Sequence, residues 1–262
     1  EFIGLKLLER TTRQVSTTAE GENFIPIAQR LVRDFDTAIY DLRATAERRS
    51  GHVSMAIVPS VASNLLPDII KAFSAEYPGI HLHLDDDSSQ GVQRRVERNE
   101  VDFGIASLWK PNKLLDFKPL FADKLELICH IDHKLAKQKG PVKIKELENT
   151  TFLDTGITKT LRSRASFGDS KFDFPNITTL LAMLRSNLGV SVLPSLAIPA
   201  YSSNLISRPL LPTQAREVYL ITRKGWTVSP AAEAMIETIV RETPSQIRKH
   251  NLTLRTNEAN HS

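Results

Sequence analysis

The chain has 262 residues, 41% of them hydrophobic and 24% charged, with a formal net charge of +4 and a sequence pI near 9.2. These values are ordinary for a soluble globular protein of one or two domains, and they exclude a chain of disordered or fibrous composition. No apolar stretch reaches about 18 residues and no secretory signal pattern is present, so neither a membrane span nor secretion is expected. The mild basic charge permits a nucleic-acid partner without requiring one.

The first regular element predicted is a long helix within residues 17–50. Thr17 followed by Glu20 forms a capping box that predicts its start, and Pro26 should kink it or mark a first turn nearby. Its apolar residues recur at alternating spacings of four and three, which is a heptad seam: Phe24, Ala28, Leu31, Phe35, Ala38 and Leu42. So narrow a seam needs a partner surface, most simply a second copy of the chain. The alternative is one amphipathic helix packed on its own domain.

From Gly51 onward the pattern changes to alternating strands and helices. Strands are predicted at 52–58, 79–86 and 101–107, with helices at 64–78 and 92–100 between them. A second unit of similar rhythm occupies 124–131, 142–155, 176–187, 188–194 and 204–210, and a last strand and helix follow at 216–224 and 229–242. This alternation predicts an α/β fold with a mostly parallel, doubly wound sheet. The polar segment 243–262 has no periodicity and is predicted to be disordered.

Most catalytic signatures are absent. The eleven glycines are never two residues apart, so a G-x-G-x-x-G fingerprint cannot form and no nucleotide cofactor is expected. There is no H-E-x-x-H, C-x-x-C or G-x-S-x-G pattern, so peptidase, redox and hydrolase activities lack a sequence signal, and no enzyme is predicted. The single cysteine, Cys129, lies in the apolar run LELICHI, which favours a core position in a reducing compartment over a thiol sensor.

One predicted strand carries a cluster of potential metal ligands. His81, His83 and Asp85 alternate along a predicted strand and therefore share one face, where a divalent metal could bind. A solvated polar face or a subunit contact is the more common role of such residues, so no metal site is predicted.

Several stretches, taken in order, resemble LysR-type transcriptional regulators. The segment from Leu7 to Val32, including Leu8-Glu9-Arg10 and the turn Thr18-Ala19-Glu20-Gly21, looks like the family's wing and the start of its linker helix. PSVASNLLPDIIKAFSAEYPGIHLHL and RNEVDFGIAS resemble the first lobe of the effector domain, and FADKLELICHIDHKLAKQ and SNLGVSVLP resemble the second. REVYLITRKGWTVSPAAEAMIETI resembles the return to the first lobe. The resemblance covers about nine tenths of the chain, and residues 1–4 correspond only to the end of the family's recognition helix.

The resemblance implies a long linker helix followed by a two-lobed, Rossmann-like effector-binding domain of the periplasmic-binding-protein type 2 kind. The implied divisions are a winged helix-turn-helix remnant (1–16), a linker helix (17–50), lobe I (51–124 with 212–242), lobe II (125–211) and the tail (243–262). Two crossing strands, near Leu120–Leu125 and Ser207–Leu211, would join the lobes. Arg10 and Arg13 match wing positions that could contact the DNA backbone, where they would position without reading sequence. Surface arginines flanking a turn are an equally good description of both.

Candidate ligand-binding residues follow from a rule for open α/β sheets, whose ligands sit beyond the carboxyl ends of the strands. Residues directly after the predicted strands are Ser60, Ser88, Ser89, Ser107, Thr155 and Gly156. Asn176, which opens a helix, matches another cleft position of the family. Ser60 and Ser89 also fall at helix starts, where anions are stabilised. Short hydroxyl and amide side chains favour a small carboxylate or polar ligand, although each residue can also be read as a helix cap or turn residue.

The resemblance therefore implies a cytoplasmic, ligand-responsive transcription regulator that binds promoter DNA through the full-length protein and assembles as a homodimer or homotetramer. Two alternatives remain open. A solute-binding protein of a transport system would share the two-lobed scaffold, but it would need a secretory signal and would not need the heptad helix. A small-molecule enzyme on the same scaffold would need a titratable residue at a strand end, and Asp154 is the only such residue among the candidates.

Overall fold

A computed structural model describes residues 4–10, 15–47, 51–155, 158, 170–198 and 204–254. It begins with a small hairpin in which β1 (Leu8–Arg10) pairs antiparallel with β2 (Val15–Thr17). Helix α1 (Ala19–Glu47) follows directly. Its cap is Thr18, whose Oγ1 accepts a hydrogen bond from the amide of Gly21 at 3.0 Å. The predicted capping box at Thr17 is therefore wrong by one residue, because Thr17 is held in the hairpin opposite Leu8.

Helix α1 has two opposite faces that differ in their chemistry. Pro26, Arg30 and Arg33 recur along the side that meets the α/β unit of the same chain. The opposite side is apolar and open to solvent, with Leu31 54% and Phe35 65% exposed. An amphipathic helix packed on its own domain would bury those side chains, so this alternative does not describe the structure. The side chains of Ala38 and Leu42, which complete the predicted seam, lie outside what the structure describes.

The contact between α1 and the α/β unit is polar. The guanidinium of Arg30 lies over the ring of Trp226, 5.8 Å from its centroid, and Arg223 lies over the same ring at 4.3 Å. Beside it is a cavity of about 180 Å³ lined by Pro26, Gln29, Arg33, His83, Asp85, Arg95 and Glu100. The cation–π contact and the charged side chains around this cavity are interactions that are individually weak.

The α/β unit is built on a mixed sheet. Three strands are mutually parallel in the order β5 (Phe103–Ser107), β3 (Gly51–Ile57), β4 (Ile80–Asp86). The remaining pairings in the main path are antiparallel, so the predicted mostly parallel sheet is wrong in this respect. The helices that connect the parallel strands are α2 (Pro59–Asn64), α3 (Leu66–Glu76) and α4 (Ser89–Glu97).

Two long strands run through the whole α/β unit. These are β6 (Leu115–His130) and β11 (Leu205–Arg223), which pair antiparallel along most of their length with an irregularity between Pro209 and Gln214. The family resemblance implied crossing strands at both places, whereas the sequence pattern divided β11 into two strands. Shorter elements complete the unit: β7 (Val142–Lys143), a 3-10 turn (Ile144–Asn149), β8 (Leu153–Asp154), β9 (Phe172–Asp173), α5 (Ile177–Arg185), β10 (Val190–Pro194) and a second 3-10 turn (Ser195–Ala197).

Buried apolar side chains form separate clusters along the long strands. Phe121 of β6 and Val218 of β11 belong to a first core, which also contains the buried faces of β3, β5, α3 and α4. Leu125 and Leu210 belong to a second core around β10, and a smaller cluster lies under α5. The change from first to second core thus falls between Phe121 and Leu125 on β6. The lobe boundaries at 124/125 and 211/212 remain predictions.

The last helix, α6 (Pro230–Lys249), is longer than expected. Ser229 caps it by accepting from the amide of Ala232 at 3.2 Å, as the sequence predicted in part. The predicted disorder from Thr243 is wrong up to Leu254, because Lys249 and Gln246 both bond to Asp68 of α3 and Ile247 is buried. A short strand, β12 (Thr253–Leu254), then pairs with β6, and residues 255–262 lie outside the described part. No described helix is long and apolar enough to cross a membrane.

Candidate functional site

The carboxyl ends of the three parallel strands meet at one edge of the sheet. The amide of Val58, directly after β3, donates to Ile105 of β5 at 3.0 Å. The amide of Asp87, directly after β4, donates to the carbonyl of Ile57 at 3.2 Å. These bonds hold the three strand ends side by side, and four predicted residues follow or end those strands: Ser60, Ser88, Ser89 and Ser107. Open α/β sheets bind ligands at such an edge.

Ser60 is the most deeply placed of these four residues. It lies in the first turn of α2 and is only 7% exposed. Its Oγ accepts a hydrogen bond from Nη2 of Arg216 at 2.7 Å. Ser60 is therefore not a simple helix cap, since the side chain bonded to it comes from β11, 156 residues further along the chain.

Arg216 is held in turn by Asp123 of β6. Its Nε and Nη2 atoms lie 3.2 and 2.9 Å from Oδ2 of Asp123, and both side chains are buried. The other carboxylate oxygen of Asp123 accepts from Oγ of Ser195 at 2.7 Å and from the amide of Leu196 at 3.3 Å. Burial lowers the pKa of the Arg216 guanidinium, while Asp123 opposes that shift. We call this set of side chains the Arg216 network: Ser60, Asp123, Ser195 and Arg216.

The Arg216 network connects the two cores where the long strands pass between them. Asp123 lies between Phe121 of the first core and Leu125 of the second. A further bond ties the same region together, since Nδ2 of Asn64 on α2 donates to the carbonyl of Leu196 at 2.9 Å. Asp123 and Arg216 were not among the residues predicted from the sequence. A charged residue inside each apolar crossing strand was the signal that could have found them.

Ser88 and Ser89 open helix α4. Oγ of Ser88 caps the helix by accepting from the amide of Gly91 at 3.2 Å, and Ser88 itself is exposed. Ser89 is the first helical residue and is half-buried. The hydroxyl of Ser88 is thus already used in a structural role, whereas no hydrogen bond within the described residues occupies that of Ser89.

Ser107 and Gln93 carry buried polar atoms that lack a hydrogen-bond partner among the described residues. These atoms are Oγ of Ser107 and Nε2 of Gln93. Oε1 of Gln93 accepts from the amide of Lys110 at 3.3 Å, which ties α4 to the segment that follows Ser107. Buried polar atoms without a protein partner usually bond to water or a ligand. Gln93 was not predicted from sequence, because a glutamine within an amphipathic helix gives no signal of its own.

The remaining candidates come from the part of the chain around β8 and α5. Thr155 follows β8, and its amide donates to Oγ1 of Thr158 at 2.7 Å, while that hydroxyl donates to Asp154 at 2.9 Å. Gly156 lies outside the described residues. Oδ1 of Asn176 caps α5 by accepting from the amides of Thr178 and Thr179. Thr155 is buried in this local network and Asn176 is exposed.

The wing and the possible metal ligands complete the set of predicted positions. The backbone of Arg10 lies in β1, whereas its side chain and all of Arg13 lie outside what the structure describes. His83 lies 3.5 Å from Asp85, and the ring of His81 stacks on that of His52 with centroids 5.0 Å apart. Within the described ranges, no group of three His, Cys, Asp or Glu side chains could hold a metal ion.

Cys129 is buried in β6, and burial raises the pKa of its thiol to about 11. An increase of about two pKa units lowers the reactive thiolate fraction roughly 100-fold. We expect Cys129 to resist Ellman's reagent in the folded protein and to react fully once guanidinium chloride unfolds the chain. Rapid reaction of the folded protein, at the rate of the unfolded one, would show that the thiol is accessible.

Similarity in sequence identifies the family. The LysR substrate binding domain model matches residues 46–244. The HTH-type transcriptional regulator YbhD of Escherichia coli (strain K12) is 31% identical over 252 residues, covering 92% of this chain and 78% of YbhD.

Solved structures share the fold. The effector binding domain of QuiR in complex with shikimate aligns with a TM-score of 0.66 at 18% identity, covering 75% of this chain and 98% of that domain. An H2O2-bound cysteine-to-serine mutant of OxyR from Corynebacterium glutamicum aligns with a TM-score of 0.67 at 19% identity, covering 95% of this chain and 83% of that one. The relatives are named as transcriptional regulators and not as enzymes. The family model and YbhD together show that this chain belongs to the LysR family of transcriptional regulators.

Proposed function

We propose that this chain is the sensing part of a ligand-responsive transcription regulator, and that its effector is a small carboxylate or polar molecule bound between the two cores. The observation that carries the proposal is the position of Ser60. Its buried hydroxyl lies at the carboxyl edge of the parallel strands and bonds to a residue of a crossing strand. An effector at this edge would contact both the first core and the segment between the cores. It could therefore bind two arrangements of these parts of the chain with different affinities.

The chemistry of the proposed site favours an oxygen-rich effector. Hydroxyl and amide groups would come from Ser60, Ser89, Ser107, Thr155 and Asn176. We propose that the other predicted residues, Ser88 and Gly156, line the same site. Gln93 adds an amide nitrogen that lacks a partner among the described residues. The likeness to the shikimate-bound domain of QuiR supports a small organic effector of this type.

Peroxide sensing by a thiol is not favoured, although an H2O2-bound OxyR shares the fold. The chain has one cysteine, so it cannot form an intramolecular disulfide. That cysteine is buried and its pKa is raised to about 11, so it lacks the thiolate that reacts with peroxide.

DNA binding and assembly complete the proposal. Arg10 and Arg13 of the wing would contact the phosphate backbone of promoter DNA in the full-length protein. The exposed apolar face of α1 would pair with that of a second copy, giving a homodimer or a homotetramer. A regulator that acts on promoter DNA would work in the bacterial cytoplasm.

A thermal-shift screen with a library of small carboxylates and aromatic acids tests the proposal. An effector present at about 100 times its Kd stabilises the folded state by about 2.7 kcal/mol, which raises Tm by several degrees. We expect Ser60→Ala to remove most of this shift. Ser63→Ala is the matched control, because Ser63 lies exposed on the same short helix and, among the described residues, its hydroxyl bonds only to Pro59 and to the neighbouring Asn64.

Two outcomes of the screen contradict the proposal. If no library member stabilises the wild-type chain, a small carboxylate or polar effector is wrong. If hits stabilise Ser60→Ala and Ser107→Ala as strongly as the wild type, the effector binds elsewhere and the placement between the cores is wrong.

A further inference from the structure

A cavity of about 180 Å³ lies between helix α1 and the α/β unit, and we call it the linker cavity. Gln29 and Arg33 line it from α1, and Asp85, Arg95 and Glu100 line it from the α/β unit. At roughly 30 Å³ per water molecule it has room for about six waters, and it is smaller than the roughly 300–1,000 Å³ of pockets for drug-sized ligands. A ligand of the linker cavity would therefore be a small molecule.

The wall formed by the α/β unit carries an excess of negative charge. Nη1 of Arg95 lies 3.3 Å from Asp85 and 3.4 Å from Glu100. Nε of the same arginine lies 3.1 Å from Asp87, and one guanidinium cannot neutralise three carboxylates. Arg98 lies 4.0 Å from Glu100, but its side chain is 60% exposed, so water screens much of its charge. Carboxylate oxygens of this wall can therefore accept hydrogen bonds from a cationic group.

The wall formed by α1 offers hydrogen-bond donors. Gln29 and Arg33 are four residues apart on the helix and share one side of it. Within the described part of the chain, no ion pair occupies the guanidinium of Arg33. Burial raises the pKa of nearby Asp102 and Arg33 opposes that shift, but Oδ2 of Asp102 already accepts from the amide of Ser54 at 2.7 Å. Arg33 can therefore bind an anionic group in the linker cavity.

Neither a simple anion nor a simple cation suits both walls. An anion bound by Arg33 would be repelled by the carboxylates opposite, and a cation bound by those carboxylates would be repelled by Arg33. A metal ion also lacks ligands, since no group of three His, Cys, Asp or Glu side chains among the described residues could hold one. A molecule with a carboxylate at one end and an ammonium group at the other would form charge-assisted hydrogen bonds with both walls.

We propose that the linker cavity is a second ligand site, which binds a small α-amino acid with its carboxylate at Arg33 and its ammonium group at Asp85 and Glu100. A bound amino acid would connect α1 to the α/β unit and would favour the arrangement in which the two lie together. None of the predicted effector-binding residues is among the described residues that line this cavity, so the inference does not depend on the effector site proposed above.

L-alanine and two analogues test whether both charges are needed. Propionate has the alanine skeleton without the ammonium group, and ethylamine has it without the carboxylate. We expect L-alanine to shift the amide resonances of Gln29 and Glu100 saturably in spectra of the ¹⁵N-labelled chain. Each analogue should bind about tenfold more weakly or worse, because it loses a hydrogen bond between charged groups. The absence of a saturable alanine shift at these residues would overturn the proposal, and so would equal binding of either analogue.

Variants of each wall test the assigned contacts. Arg33→Gln and Glu100→Gln remove one charge from each wall with little change in size, and each should weaken alanine binding about tenfold or more. Arg33→Gln should not weaken the binding of ethylamine, which has no carboxylate to lose a partner. Arg94→Gln is the matched control, because Arg94 is exposed on α4 and does not line the cavity. Alanine affinities that stay at the wild-type value in both wall variants would contradict the proposal.

Ser60→Ala distinguishes this site from the proposed effector site. Because Ser60 does not line the linker cavity, this variant should bind L-alanine with wild-type affinity. If Ser60→Ala abolishes the alanine shifts and Arg33→Gln does not, alanine binds at the effector site and the second site is wrong. If the carboxylate library finds no effector but the alanine shifts depend on Arg33 and Glu100, the second site stands and the proposed effector is wrong.

Discussion

Asp123→Ala is expected to lower the free energy of unfolding by about 3–5 kcal/mol, the usual cost of breaking a buried ion pair by removing one partner. The substitution leaves the guanidinium of Arg216 buried without its carboxylate, and it leaves Oγ of Ser195 and the amide of Leu196 without an acceptor. Urea unfolding followed by circular dichroism measures the change, with the m-value showing whether unfolding stays two-state.

An exposed ion pair provides the control. Arg241 and Glu76 lie 2.8 Å apart, close to the 2.9 Å of the buried pair, but both are about half exposed to water. Glu76→Ala should therefore have a much smaller effect, because water screens the pair and solvates whichever partner remains. The combination Asp123→Leu with Arg216→Met should recover most of the stability lost in Asp123→Ala. Equal losses in Asp123→Ala and Glu76→Ala would show that Asp123 and Arg216 do not form a buried pair in solution.

The sequence predicted the order of strands and helices well where a local pattern exists. The strands at β3, β4 and β5 and the helix α4 lie close to their predicted positions, since alternating or helical apolar spacing records which face is buried. The end of α6 could not be predicted in this way. Residues 243–249 are mostly polar, and their helix depends on contacts with Asp68 of α3, a partner 178 and 181 residues away in the sequence.

The candidate site was predictable only in part, and for the same reason. A rule about strand ends is enough to select Ser60 and Ser107, because each strand end can be recognised locally. Arg216 and Asp123 are 93 residues apart, and no local sequence pattern around either residue indicates that the other is its partner. Ser88 and Asn176 fit the strand-end and family patterns equally well, yet their side-chain oxygens cap helices. Local patterns thus locate the edge of the sheet but do not separate capping residues from those that face a ligand.

The polar and apolar faces of α1 explain how one helix could serve both sensing and assembly. Its polar side meets the α/β unit through Arg30, Trp226 and a charged cavity, so movement of that unit would change the position of the helix. Its apolar side is exposed at Ile27, Leu31, Val32, Phe35 and Ile39. If this side pairs with a second copy, a change in either α/β unit alters the relative placement of the two helices, which is how the proposed regulator would transmit effector binding.

Replacing Leu31 and Phe35 by glutamate should convert the proposed homodimer or homotetramer into smaller species, down to the monomer if α1 provides the whole contact. Burying one Leu or Phe side chain contributes about 1.5–3 kcal/mol, and each substitution removes that contribution from both copies. Added carboxylates would also face each other across the seam. The dissociation constant should therefore rise by at least about 100-fold, since about 1.4 kcal/mol corresponds to a factor of ten.

Sedimentation equilibrium over a range of concentrations measures this change directly. Asn23→Glu is the control, because it adds the same charge to an exposed polar position on the same helix and should leave the assembly intact. Circular dichroism would show whether α1 keeps its helicity in the variants. A wild-type chain that stays monomeric at every concentration would refute pairing through α1, and an assembly unchanged by the glutamate substitutions would place the contact on another surface.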